Sequence, residues 1–148
     1  MPKPARVMVD TNVALDLVQN REPFVADAVH LFALAEAGDV QLLLSTDAIS
    51  TIFYVVCKNA DARTGREAIA KLLDFVTLAP LDESAVVKGL ALDFVDVEDA
   101  LVAAVAQKHR AAAIVTRNAR DFKNSPVPAM EPKEFLAALE ARKRVGRG

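Results

Sequence analysis

The stretch Val7-Met-Val-Asp-Thr-Asn-Val13 sets three apolar residues directly before an acid. A short apolar run of this kind is typical of a buried strand, and we predict one over residues 6–10. Two further apolar runs, residues 41–44 and 113–116, have the same character. The intervals between the three runs are long enough for helices, so together they predict an α/β protein.

Between the predicted strands, apolar residues recur at the spacing of a helix. The first such stripe consists of Val25, Ala28, Val29 and Phe32, and Gly38 is expected to end that segment. Further stripes cover residues 49–56, 69–76, 84–94, 101–105 and 132–139. Thr64 and Glu67 have the spacing of a capping box ahead of the third stripe. Residues 77–79 and the segment around Pro126 and Pro128 are candidates for short strands.

Strands that alternate with helices predict a three-layer α/β/α fold with a central, mainly parallel sheet of four or five strands. Neither a repeat nor a break in composition divides the chain, so residues 1–148 are expected to form one domain. The basic tail, residues 140–148, is expected to be a solvated terminus.

Composition narrows the class of protein. The net charge is −2 and the pI is about 5.7, so no overall positive field attracts nucleic acid. Cys57 is the only cysteine, which excludes an internal disulfide and favours a reducing compartment. The apolar run before Asp10 is too short for a signal peptide, and no later run is apolar enough to span a membrane. A cytoplasmic protein without membrane contact is expected.

Acidic residues follow the predicted strands. Asp10 ends the first strand, and Asp121 comes one short loop after Thr116, where the strand over 113–116 ends. The carboxyl ends of parallel strands open onto one edge of a sheet, where ligands bind near the topological switch point. Asp99 and its acidic neighbours begin a helix that can start at the same edge. Clustered carboxylates without a nearby cysteine or histidine cluster predict a site for Mg²⁺ or Mn²⁺.

Each of these acids also has a structural explanation. Asp10 could cap the helix that follows it. Asp96 and Asp99 have the spacing of an N-cap residue and a third-position acid. Asp121 could be an ordinary loop acid. Caps are commoner than metal sites, yet capping alone does not explain why the acids gather at one predicted edge.

Three ordered blocks of this sequence resemble a PIN domain. They are Val7-Met-Val-Asp-Thr-Asn-Val13 with Leu15-Asp16, the acidic helix start over residues 97–106, and Ile114-Val-Thr-Arg-Asn-Ala-Arg-Asp-Phe122. The motif-bearing part covers about residues 6–136 and is similar to bacterial VapC-type toxins. The segment Asn20-Arg-Glu-Pro-Phe24 resembles one subgroup of the family. The resemblance implies a PIN-like fold and an endoribonuclease that depends on Mg²⁺ or Mn²⁺.

The resemblance also implies roles for individual residues. Asp10, Asp99 and Asp121 match the first, third and fourth family acids and would be catalytic and bind the metal, with Glu98 as a further ligand. The supporting residues would be Asn12, Thr116 and Asn118.

One position departs from the family pattern. Thr51 stands where the second acid, usually Glu, is expected. A threonine can position a water molecule but supplies no negative charge. Glu98 could compensate, with Asp96 and Asp47 as weaker candidates, although Asp47 is expected to cap its own helix. Two hypotheses therefore stay open: an active ribonuclease, or a non-catalytic PIN-fold module that binds RNA or protein.

The expected partners follow from the same resemblance. RNA would be held mainly through its phosphates, and Arg117 and Arg120 are the candidate contacts. A VapBC-like toxin would pair with a small antitoxin and form a homodimer. A phosphotransferase of the haloacid-dehalogenase type also carries an Asp after its first strand. It needs a second Asp two residues later, where this chain has Asn12, so we set that class aside.

Overall fold

The computed structural model describes residues 3–147. The ends of the predicted domain and of the basic tail, Met1, Pro2 and Gly148, lie outside these residues. In chain order the elements are β1 Ala5–Val9, α1 Thr11–Val18, α2 Val25–Glu36, β2 Val40–Ser45, α3 Thr46–Asn59, α4 Ala62–Leu72, β3 Val76–Ala79, α5 Glu83–Ala91, α6 Val97–Lys108, β4 Ala113–Val115, a 3₁₀ turn Ala119–Phe122, β5 Ala129–Met130 and α7 Pro132–Arg147.

The five strands form one sheet in the order β3-β2-β1-β4-β5, and every pair is parallel. The predicted α/β fold class is therefore confirmed, with five strands and no antiparallel pair among the described residues. The chain adds strands on one side of β1 and then returns to add β4 and β5 on the other. The topological switch point consequently lies between β1 and β4, at the ends of the two strands that the sequence singled out.

The alternation of side chains along β1 divides the core into two layers. Val7 and Val9 face one side of the sheet, where they pack in a cluster with residues of α1, α2, α3, α4 and α7. Met8 faces the other side and packs with Val102 and Val105 of α6. Burial of each of these side chains stabilises the fold by about 1.5–3 kcal/mol. The rigid sheet between two helical layers fixes the strand ends on which the site is built.

Several local expectations are corrected by the structure. The capping box at Thr64 is wrong: α4 begins earlier, after Asp61, whose Oδ1 accepts a hydrogen bond from the Thr64 backbone N–H at 2.7 Å. Asp47 does not cap α3 either, because Ser45 is its N-cap residue and donates its hydroxyl to the Asp47 carboxylate. By contrast, Gly38 follows α2 with φ +83°, a left-handed conformation that favours glycine after a helix.

Two further observations concern the helices of the described residues. Within residues 3–147, none of the helices has the length and apolar character needed to cross a membrane. The helix predicted over 84–94 stops at Ala91, and residues 92–96 form the connection that leads into α6.

Candidate functional site

Asp10 lies at the switch point, immediately after β1. It is 7 % exposed, and its two carboxylate oxygens have different partners. Oδ1 accepts from the Thr11 backbone N–H at 2.8 Å and so caps α1, while Oδ2 accepts from the Thr116 hydroxyl at 2.7 Å. Asp10 therefore caps α1 with one oxygen and binds the residue that follows β4 with the other. The Thr116 hydroxyl links the ends of β1 and β4 across the switch point.

Burial raises the pKa of Asp10 above its ordinary value, and the charge of Asp96 adds to that increase. The hydrogen bonds from Thr116 and Thr11, together with the charge of Arg117, oppose it. The carboxylate is thus held in a position where its negative charge is only partly compensated.

Asp99 reaches the same edge from the first turn of α6. Asp96 caps that helix by accepting from the Asp99 backbone N–H at 3.0 Å, as the spacing predicted. The pKa of the half-buried Asp99 is raised to about 6, first by burial and then by the negative charges of Asp10, Asp96, Asp121 and Glu98. These acids come from three separate parts of the chain. They lie close enough for each to disfavour the ionised form of Asp99.

Asp121 is exposed and lies in the 3₁₀ turn that follows β4. Its backbone N–H donates to the carbonyl of Asn118 at 2.9 Å. The next residue, Phe122, is buried and packs edge-to-face against Phe94, with ring centroids 5.8 Å apart. An apolar anchor therefore holds the turn that carries this acid.

The donor chemistry of these acids fits a hard divalent cation, because carboxylate oxygens are the ligands that Mg²⁺ and Mn²⁺ prefer. Burial is the first cause of the raised pKa of Asp99, and the four neighbouring acids that add to it form a negative charge that a cation would relieve. Within residues 3–147, however, no three acidic, histidine or cysteine side chains are arranged as a metal-binding group. The ligand set of Asp10, Glu98, Asp99 and Asp121 stays a prediction.

The supporting residues predicted from sequence occupy different environments. The Asn12 side-chain oxygen accepts from the Arg117 backbone N–H at 3.4 Å. The Asn118 backbone N–H donates to the Thr116 hydroxyl oxygen at 3.1 Å. Thr51 is exposed on α3, and Arg120 is exposed on the 3₁₀ turn. These observations do not test the roles predicted for Asn12, Asn118, Thr51 and Arg120.

Sequence reasoning gave no role to Asp16, although it is the most deeply buried acid of this region at 1 % exposure. Arg117 donates to both of its oxygens, from Nε at 2.7 Å and from a terminal nitrogen at 3.2 Å. The Arg117 guanidinium also lies 4.1 Å from the centre of the Phe24 ring. The partners are 101 positions apart in sequence, so no local spacing signals their pairing.

Two crevices adjoin Arg117. One, of about 420 Å³, is lined by Ala119 and by six polar residues: Arg117, Asn118, Arg120, Asp121, Glu131 and Glu134. The other, of about 370 Å³, is lined by residues that include Pro23, Phe24 and Lys133. A larger groove of about 630 Å³ lies elsewhere, between α2 and α4, with a mainly apolar lining. Both arginines predicted to bind RNA, Arg117 and Arg120, therefore line the same crevice as Asp121.

Comparison with known proteins identifies the family. A PIN domain model matches residues 6–120, most of the chain, and the chain belongs to that family. The match stops one residue before Asp121. A curated relative, Ribonuclease VapC1 of Aquifex aeolicus, is 27 % identical over 135 residues, covering 88 % of this chain and 92 % of its own.

Solved structures share the fold at lower identity. DNA-bound VapBC from Salmonella typhimurium matches with a TM-score of 0.70 and 17 % identity, over 86 % of this chain and 98 % of its own. VapC20 of Mycobacterium tuberculosis, a toxin that cleaves the sarcin-ricin loop, matches with a TM-score of 0.60 and 16 % identity, over 73 % and 86 % of the two chains. The chain therefore belongs to the PIN family, and the solved structures share its fold.

Proposed function

We propose that this chain is a divalent-metal-dependent endoribonuclease of the VapC type, which hydrolyses phosphodiester bonds of RNA at the edge of the sheet beyond β1 and β4. The observation that carries the proposal is the convergence of acids on Asp99, whose pKa rises to about 6. Perturbed carboxylates at a switch point are typical of sites that do chemistry. The membership of the PIN family supports the same conclusion.

Asp10, Glu98, Asp99 and Asp121 would hold Mg²⁺ or Mn²⁺. When bound, such an ion activates water and neutralises charge on the phosphate. The chain's own residues fix the geometry: Thr116 orients the Asp10 carboxylate, and Asp96 caps the helix turn that carries Asp99. Arg120, exposed beside Asp121, is available to a phosphate of the substrate.

The proposal extends to partners. The Aquifex relative is a VapC ribonuclease, and several structural neighbours are toxin-antitoxin complexes. We therefore propose RNA as the substrate, a small antitoxin as the binding partner and a homodimer as the working form. A nuclease that acts on cellular RNA would work in the cytoplasm.

Thr51 supports a second candidate, a PIN-fold module that binds RNA or protein without cleaving it. The residue is exposed, and it supplies no charge at the position where the resemblance predicts the family's second acid. Thr51→Glu adds that acid at an exposed helical position, and Ser50→Glu adds the same charge one residue earlier as a matched control. Tighter Mn²⁺ binding and faster cleavage in Thr51→Glu alone would show that the position belongs to the metal site.

The proposal is tested by incubating the purified chain with fluorescently labelled structured RNAs, with Mn²⁺ or with EDTA. Cleavage is expected only with the metal and should be lost in Asp10→Asn and in Asp121→Asn. The second variant changes an exposed residue and avoids the folding risk of the first. Asp27→Asn, an acid in the first turn of α2, serves as the control. Cleavage that survives EDTA or both substitutions would refute the proposed mechanism; Mn²⁺ binding without cleavage of any RNA would favour the module.

A further inference from the structure

Asp16 is a buried acid that the proposed metal chemistry does not use. It lies on α1, one turn and a half beyond Asp10, and faces the protein interior at 1 % exposure. A buried carboxylate costs several kcal/mol unless it is paired and hydrogen-bonded. Here the compensation comes from Arg117, with Arg21 as a more distant second cation at 3.9 Å.

The contact between Asp16 and Arg117 is a two-point fork. Two guanidinium nitrogens meet two carboxylate oxygens at 2.7 and 3.2 Å, the arrangement that gives arginine its geometric specificity. The Phe24 ring packs against the guanidinium, whose central carbon lies 4.1 Å from the centre of that ring. The segment over residues 20–24, which resembles one subgroup of the family, thus supplies the third member of the group. We name Asp16, Arg117 and Phe24 the arginine clamp.

The clamp acts on the turn that leaves β4. Arg117 stands between Thr116, whose hydroxyl donates to Asp10, and Asn118, whose N–H donates back to the Thr116 hydroxyl oxygen. We infer that Asp16 is a positioning residue. Through Arg117 it fixes the turn over residues 116–121 so that Thr116 orients Asp10 and the 3₁₀ turn presents Asp121. The effect of Asp16 on catalysis rests on the proposed function, whereas its effect on the position of the turn does not.

The other explanation for Arg117 is direct phosphate binding, as the sequence suggested. Its side chain is only 25 % exposed. Asp16 binds two of its guanidinium nitrogens, and the Phe24 ring packs against the guanidinium. A phosphate contact at either of the two nitrogens that bind Asp16 would deprive the buried carboxylate of that partner. Arg120, exposed on the same turn, carries no such cost. The geometry therefore favours positioning for Arg117 and leaves substrate contact to Arg120.

The test removes the clamp while keeping the core filled. The double variant Asp16→Leu with Arg117→Met deletes both charges, and an apolar replacement of a buried ion pair often leaves stability unchanged. The control, Arg63→Met with Glu67→Leu, deletes an exposed ion pair on α4 whose side chains are 89 % and 65 % exposed. Arg117→Lys, which keeps a charge but loses the fork, is the conservative comparison. All variants are made in the whole 148-residue chain.

Three readouts separate positioning from simple stability. Hydrogen exchange over residues 116–122 is expected to speed up about tenfold in the double variant, with the exchange of β2 unchanged. Mn²⁺ affinity and kcat for RNA should fall about 10- to 100-fold, with KM within about threefold. Arg117→Lys should recover part of both losses. The control pair should change none of the three.

Two results would overturn the inference. Unchanged exchange, Mn²⁺ affinity and kcat in a folded double variant would make the clamp purely structural. A raised KM and a salt dependence reduced by about one phosphate contact, with unchanged exchange, would make Arg117 a substrate ligand. If the parent chain cleaves no RNA, the proposed function fails, while hydrogen exchange and Mn²⁺ affinity still decide the role of the clamp. If the double variant fails to fold, the same readouts on Arg117→Lys decide it.

Discussion

Replacing Asp99 with Asn should stabilise the metal-free protein at neutral pH. Asp99 has a pKa of about 6 in the folded chain against an ordinary value of 3.8, because burial and four neighbouring acids disfavour its charge. The folded protein consequently binds more protons than the unfolded chain between about pH 4 and pH 6. Its stability falls as the pH rises through that window, and the loss is complete above it.

The magnitude follows from the same values. An interval from 3.8 to about 6 corresponds to at most about 3 kcal/mol. Asp99 is partly exposed, so water reduces both the burial penalty and the repulsion that raise its pKa. The substitution also removes the favourable interaction between the Asp99 charge and the dipole of α6, which is about 0.3–1 kcal/mol for an acid in the first turn of a helix. We expect Asp99→Asn to gain about 1 kcal/mol at pH 7.5 and to show little difference near pH 4.

Urea unfolding in EDTA at several pH values between 4 and 8 measures this difference. Asp27→Asn is the matched control, because Asp27 also occupies the first turn of a helix, α2. At pH 7.5 the control should be neutral or slightly less stable, because it loses a favourable interaction with the helix dipole. A destabilised Asp99→Asn at pH 7.5, or a stability difference that does not vary with pH, would refute the raised pKa of Asp99. Added Mn²⁺ should raise the stability of the parent more than that of Asp99→Asn.

Three further predictions concern the framework of the site and its neighbouring helices. Thr116→Val deletes the 2.7 Å hydrogen bond to Asp10, which should cost about 2 kcal/mol in urea unfolding at pH 7 and raise the pKa of Asp10 further; unchanged stability would contradict the importance of that bond. Asp61→Ala removes the N-cap of α4 and should lower the melting temperature by about 3 °C in a calorimetric scan, whereas an unchanged value would show that the cap is dispensable. Gly65→Ala should destabilise the protein by about 1 kcal/mol despite alanine's better helix propensity, because its Cβ would come within 2.9 Å of the Cys57 sulfur; a more stable variant in the same scan would show that this contact relaxes freely.

The strand ends could be predicted from the sequence because they depend on local pattern. The apolar runs before Asp10 and Thr116 mark buried parallel strands, and the rule that such strands open onto one edge brought the two residues together. The structure places them 2.7 Å apart across the switch point. The cap at Asp96 was predictable for a similar reason, since its hydrogen bond spans only three residues.

Other features depend on contacts that a single sequence does not display. The predicted capping box at Thr64 is wrong because the chain has an earlier N-cap residue. The carboxylate of Asp61, three residues before Thr64, accepts a hydrogen bond from the Thr64 backbone N–H, and α4 therefore begins at Ala62. The arginine clamp escaped notice because Asp16 and Arg117 meet only after the chain has folded. From the sequence alone, Arg117 is consequently predicted to contact RNA, and Asp16 receives no role.

The most direct measurement of the central claim is anomalous X-ray scattering from crystals of this chain soaked in Mn²⁺. The account predicts a peak beyond the ends of β1 and β4, with a carboxylate oxygen of Asp10 about 2 Å from the ion and Asp99 and Asp121 among its direct or water-bridged ligands. A protein that binds no Mn²⁺ at this edge, or binds it with ligands that exclude Asp10 and Asp99, would contradict the account.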